Sequence, residues 1–165
     1  MAREICLRLL TAQARSRAEL AAALTRRGIP PEVADRLLSR FGAVGLIDDR
    51  AFAEAFVASG HSTRGLARRA LSHELERRGI DPATASEALQ RLDERAEEDT
   101  ARALVGRRLP ATEGLDPVLR ARRLVGMLAR KGYPPGLAYR VVREELAAIG
   151  ECWDDPDPPP EIETV

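Results

Sequence analysis

The sequence predicts an all-α protein made of three tandem three-helix (helix-turn-helix-like) repeats in an elongated, curved array. Three observations predict it. One segment pattern recurs three times around a glycine. Each copy spaces its apolar residues as one helix face requires. No stretch alternates with the period of two that a half-buried strand needs. Of the 165 residues, 44% are hydrophobic and 32% charged, which places the chain among folded globular sequences rather than disordered ones. Aromatic residues are only 4%, so the core must be built mainly from Leu, Val and Ala.

The three copies align without gaps. They are Leu20-Ala-Ala-Ala-Leu24-Thr-Arg-Arg-Gly28-Ile-Pro-Pro31, Leu71-Ser-His-Glu-Leu75-Glu-Arg-Arg-Gly79-Ile-Asp-Pro82 and Leu124-Val-Gly-Met-Leu128-Ala-Arg-Lys-Gly132-Tyr-Pro-Pro135. A repeat of about fifty residues marks stacked supersecondary units. The two leucines of each copy sit four apart and share a helix face. The glycine ends that helix, because a left-handed backbone conformation after the last turn is least costly for Gly. The proline three residues later suits the first turn of the next helix, where its missing N–H is no loss. Ala34, Ala85 and Ala138 follow six residues after each glycine and predict close helix packing.

A further helix precedes each pair. In the second copy it opens at Leu46-Ile47-Asp48-Asp49-Arg50-Ala51-Phe52-Ala53, with Asp48 as the N-cap and Ile47 and Phe52 as a hydrophobic staple. Ser16 and Glu19 form a capping box for the middle helix of the first copy. Asp116-Pro117 reads as the cap and first residue of its counterpart in the third. The expected domains are 1–46, 47–98 and 99–150, three helices each. Residues 151–165, with four prolines and six acidic residues, are expected to form a disordered or extended tail.

The formal net charge is zero, but it is unevenly placed. Residues 1–49 carry 8 basic and 6 acidic side chains, and residues 50–99 carry 8 and 10. Residues 100–150 carry 10 and 4, and residues 151–165 carry none and 6. A basic third module is thus followed by an acidic tail, the kind of block that marks an interaction surface. Cys6 and Cys152 show no metal-ligand spacing and no disulfide framework, so two reduced thiols in the cytoplasm are expected. No apolar run approaches the roughly 20 residues of a membrane span, and the start lacks the apolar stretch of a signal peptide.

These residues together resemble the RecX regulatory family. The resemblance is carried by Ser16-Arg17-Ala18-Glu19-Leu20, by the Arg26-Arg27-Gly28 turn, by Gly45 through Ala53, and by Gly65 through Ile80. It covers about residues 3–150 and is strongest in the first two modules. It implies three tandem three-helix repeats. It also implies a non-enzymatic cytoplasmic modulator of the RecA recombinase that binds the RecA–DNA filament and suppresses strand exchange, ATP hydrolysis and co-protease action. Some members of the family bind single- or double-stranded DNA themselves. The acidic tail is not part of the shared pattern.

Asp48 and Asp49 lack further metal ligands nearby and read as helix-start residues, with Phe52 completing the signature. His61 and His73 fit no catalytic motif and are expected in a loop and on a helix face. There is no Gly-rich phosphate loop. No cofactor and no enzymatic activity are expected, and a monomer is the simplest state.

The cations are the candidate binding residues. Arg26-Arg27, Arg77-Arg78 and Arg130-Lys131 recur at one repeat position. Cations at a helix C-terminus offset its dipole by about 0.3–1 kcal/mol each, so structure and binding explain them equally well. Arg120, Arg122 and Arg123 crowd the start of a helix, where the dipole disfavours cations, and Arg140 and Arg143 add to the next one. Only Arg140 has an acid at helical spacing, Glu144. A binding role for this group is therefore favoured, toward DNA phosphate or an acidic protein face. Trp153 stands among acids, either as a stray aromatic of a loose tail or as part of a tail folded back on the basic module. Two other functions fit the pattern: a helix-turn-helix DNA-binding regulator, against which three near-equal copies argue, and a helical scaffold for another protein.

Overall fold

The computed structural model describes residues 1–153, and among them the chain forms nine α-helices and no strand. They are α1 (Ala2–Ala12), α2 (Arg17–Thr25), α3 (Pro31–Ala43), α4 (Asp49–Arg64), α5 (Arg68–Arg77), α6 (Pro82–Gln90), α7 (Glu94–Arg108), α8 (Pro117–Arg130) and α9 (Pro135–Ala148). A 3-10 turn, Leu109–Thr112, links α7 to α8. The fold is therefore all-α, in three three-helix modules, as the repeat requires. Most of the acidic tail lies outside the described residues.

The helix ends follow local chemistry. Ser16 and Glu19 make both halves of the capping box on α2. The Asp48 carboxylate accepts from the Ala51 N–H at 3.0 Å and caps α4. The Asp116 carboxylate accepts from Val118 and Leu119 N–H at the start of α8. Proline occupies the first residue of α3, α6, α8 and α9. Gly28, Gly79 and Gly132 close the turns after α2, α5 and α8 with φ of +72°, +73° and +89°. The repeated leucines Leu20, Leu24, Leu71, Leu75, Leu124 and Leu128 are all fully buried. The residues after each glycine (Ile29, Ile80 and Tyr133) and the three alanines Ala34, Ala85 and Ala138 are buried as well.

Packing divides the chain differently from its repeat. One compact unit comprises Met1–Ser59 with Ser72–Arg91; the other comprises Gly60–Leu71 with the chain from Leu92 onward. The first unit holds a core of Ile5, Cys6, Leu20, Leu24, Ile29, Ala34, Leu38, Phe41 and Ile47. Burial raises the pKa of the Cys6 thiol, and Cys6 is free, as is the exposed Cys152. The second unit is built on Ala101, Val105, Leu124, Leu128, Tyr133, Val141, Val142 and Leu146, closed by Trp153.

Each unit contains one copy of the same joint. In the first, the glycine turn of the second module sits on the start of α2. There the Ser16 hydroxyl donates to the Arg78 carbonyl at 2.6 Å. A methyl added at Gly79 would overlap that of Ala18. In the second unit, the glycine turn of the third module sits on the start of α5. The Ala67 N–H donates to the Lys131 carbonyl at 2.9 Å, and a Cβ at Gly132 would stand 2.5 Å from the Ala70 nitrogen. A Cβ added at Gly28 would meet open space. The repeated glycine is thus required by backbone conformation in all three modules, and by close approach in two.

Candidate functional site

The sequence-predicted cations separate into those the fold consumes and those it leaves outward. Arg120 is a correction. It is only 4% exposed, on the inner side of α8. Its Nε donates to the Thr112 hydroxyl at 2.9 Å, one terminal nitrogen donates to the Leu109 carbonyl at 3.0 Å, and the other meets the Glu151 carboxylate at 2.5 Å. A guanidinium with all three nitrogens engaged inside the protein is a structural element and is not open to a partner. The signal was available in part: Arg120 lies four residues before Leu124 and shares its inward face.

Arg78 and Lys131 belong to the joints. Arg78 pairs with Glu19 at 2.7 Å, and its guanidinium lies 4.8 Å from the centre of the Phe56 ring and 6.0 Å from that of Phe52. A cation over two rings at a partly buried site contributes about 0.5–2 kcal/mol. The Lys131 ammonium donates to the Arg64 carbonyl at 2.6 Å, capping the end of α4. Asp49 also serves a joint, accepting from the Arg17 N–H at 2.8 Å. Neither Asp48 nor Asp49 belongs to a metal-type cluster, and none occurs among the described residues.

Arg140 is the second correction. It does not pair with Glu144 along its own helix. It makes a two-pronged contact with Glu98 of α7, 2.9 Å on each side. Arg102 of α7 bonds Glu98, Glu144 and, at 3.4 Å, Glu145. The Arg140 and Arg102 guanidinium groups together hold the Glu98 carboxyl down at about 2. The Glu98 and Glu144 carboxylates raise the already high pKa of Arg102 further. These charges lace α7 to α9, and sequence could not see it because the partners lie more than forty residues apart.

Both histidines sit on helices, His61 near the end of α4 rather than in a loop. Its ring nitrogens contact the Leu66 carbonyl at 3.0 Å and the Thr100 hydroxyl at 2.9 Å. An open cleft of about 810 Å³ lies beside it, lined in part by Arg64, Asp99, Arg107 and Lys131. His61 and Lys131 are held there by internal bonds.

The outward cations are Arg122, Arg123 and Arg130 of α8 and Arg143 of α9, with Arg26, Arg27 and Arg77 at the glycine turns. Arg77 stands 4.0 Å from Glu74. Arg122, Arg123, Arg130 and Arg143 have no acidic partner among the described residues. On α8 the positions 119, 122, 123, 126 and 130 fall on one arc of the helix, opposite the buried Ala121, Leu124 and Leu128. Leu119 in that arc is 43% exposed, and the Arg130 guanidinium lies over Gly126 at its centre. From residue 122 to residue 130 the arc runs about 12 Å along the axis.

Fold and surface together define a class: a tandem array of three-helix modules that presents a bare basic helix face in its last module. Models of RecX match all three modules: the first three-helix domain at residues 2–41, the second at 48–89 and the third at 96–142. The regulatory protein RecX of Thermobifida fusca is 58% identical over 157 residues, covering 95% of this chain and 85% of its own. That of Streptomyces coelicolor is 57% identical over 150 residues, covering 91% and 80%. The crystal structure of RecX from Lactobacillus salivarius superposes with a TM-score of 0.78 at 19% identity, over 87% of this chain and 94% of that one. The chain belongs to the RecX family, whose curated members are named regulatory proteins. No helix among the described residues is long and apolar enough to cross a membrane.

Proposed function

We propose that the chain regulates the RecA recombinase by binding the RecA–DNA filament, and that it lowers recombinase, ATPase and co-protease activities by occupying the filament rather than by chemistry. Family membership across all three modules supports the partner. The observation that carries the mode of action is the arginine arc of α8. Desolvated or internally paired cations are anchored for structure, but Arg122, Arg123 and Arg130 are held outward without a local acid. Their planar guanidinium groups fit phosphate or carboxylate in a two-pronged way. An arc of about 12 Å spans roughly three nucleotides of one strand at about 3.4 Å each.

The test is RecA ATPase and DNA strand exchange with the protein titrated in from below stoichiometry. Progressive inhibition is expected, and R122Q/R123Q/R130Q should weaken it while leaving the helix content unchanged. Full RecA activity at saturating protein defeats the reading. The salt dependence of binding reports how many phosphates are met. Engagement of four by the arc and Arg143 gives a log–log slope of about −3.6 on duplex DNA, whereas a slope near zero on DNA alone assigns the arc to an acidic protein face.

A further inference from the structure

The acidic segment after residue 153 begins at a built anchor. Trp153 is only 4% exposed, and its ring stacks on that of Tyr139 in α9, with centroids 5.5 Å apart and planes 21° apart. Two residues earlier, the Glu151 carboxylate reaches the buried Arg120 of α8 at 2.5 Å. Residues expected from sequence to start a loose tail are therefore fastened to the third module at two points. A solvated segment needs neither a buried indole nor a buried guanidinium partner. The fastening fixes where the next residues leave the fold. Trp153 is seated against α9, where Arg143 follows Tyr139 by one helical turn, and Glu151 is fastened to α8, whose outer arc carries Arg122, Arg123 and Arg130.

The sequence beyond the anchor carries five carboxylates, at Asp154, Asp155, Asp157, Glu161 and Glu163, and no cation. The outer arc of α8 carries Arg122, Arg123 and Arg130, and α9 carries Arg143, none with an acidic partner among the described residues. Residues 154 to 165 reach at most about 40 Å when extended, well beyond the roughly 12 Å of the arc. A tether this short raises the local concentration of its charges to the millimolar range.

We propose that residues 154–163 act as a built-in competitor for the arginine face of α8 and α9, held in place by the Trp153 anchor and displaced by the acidic partner. The proposal shares with the functional reading only the idea that this face binds an acidic partner. Occupation of the face by the chain's own segment is independent of which partner that is. The device sets a threshold: a partner must present more negative charge, or better-placed charge, than the tethered segment does. It also makes binding depend on salt in two opposing ways, because the internal contact and the external one are screened together.

The experiment uses the full chain with a nitroxide on T164C in a C152S background, Cys6 being buried. At low salt, amide signals of residues 119–130 should broaden. The broadening should vanish at about 1 M salt, where the screening length falls to about 3 Å, and in R122Q/R123Q/R130Q/R143Q. Unbroadened α8 amides, or broadening that ignores both salt and the arginines, overturns the proposal. A second readout is the affinity for a heparin dodecasaccharide. Removing residues 154–165 should tighten binding about five- to tenfold at low salt in the natural background, and less than twofold in the four-arginine variant. Equal gains in both backgrounds reflect net charge alone and overturn it. RecA left uninhibited by a chain that shows the broadening defeats the functional reading only. RecA inhibited by a chain that lacks it defeats this proposal only.

Discussion

Replacing Gly79 by alanine should cost more stability than replacing Gly28, although both glycines occupy the same place in the repeat and both have φ near +70°. An L-residue in that conformation costs about 1–2 kcal/mol, which is the whole expected cost at Gly28, where an added Cβ meets open space. At Gly79 the new methyl overlaps that of Ala18, a rigid group that moves only if the α2 backbone moves. Overpacking of this kind adds about 1–3 kcal/mol, for a total of about 2–5 kcal/mol. Both sites lie in the same compact unit, so one urea titration followed by far-ultraviolet circular dichroism compares them directly. The G79A/A18G double variant supplies the control. Ala18→Gly alone should cost up to about 1 kcal/mol as a helix glycine, yet in the double variant it should recover about 1–3 kcal/mol. Equal losses at Gly28 and Gly79, or additive effects in the double variant, would refute the joint as the reason for the glycine.

Arg120→Ala should strip partners from Glu151, Thr112 and the Leu109 carbonyl, and should cost about 3 kcal/mol, read from the urea midpoint of Trp153 fluorescence. R122Q/R123Q/R130Q should change that midpoint by less than about 0.5 kcal/mol, since the three side chains are outward and unpaired. Acid should weaken the second unit. The Glu98 carboxyl is held at about 2 by Arg140 and Arg102. Its contribution is present above the ordinary carboxylate pKa near 4.5 and disappears as pH falls from there through about 2. Trp153 fluorescence over that window should show the loss, and Glu98→Gln should flatten it. Burial pushes the Tyr133 phenol up to about 12, and its hydroxyl donates to the Gly65 carbonyl at 3.0 Å. Stability should therefore fall as pH rises from about 10 through 12, and Tyr133→Phe should remove that fall at the cost of the hydrogen bond.

Much of the fold was legible because its punctuation is local. The Ser16–Glu19 box, the Asp48 and Asp116 caps and the prolines at the starts of α3, α6, α8 and α9 act within one turn of themselves. The buried leucines and alanines of the repeat follow from helical spacing, which also places Arg120 inward. The roles of the paired cations were not legible. Arg27, Arg78 and Lys131 stand at one repeat position. Only Arg78 and Lys131 are half-buried and engaged, because a preceding module exists for them to meet. Trp153 shows the same limit: nothing near it in sequence predicts a buried ring, since Tyr139 reaches it through the fold.

The sequence alone determined that this is a chain of three helical modules, where several of its helices begin and where the glycine turns stop them, and which family it belongs to. Those properties rest on interactions between residues three or four apart and on a pattern repeated three times. Only the tertiary structure decided which charges are available to a partner. Arg78 finds Glu19 across 59 residues, Arg140 finds Glu98 across 42, and Arg120 finds Glu151 across 31. The free energy of a charge depends on what surrounds it in space. So the same residue type, at equivalent places in three modules, becomes a joint in one and an open contact in another.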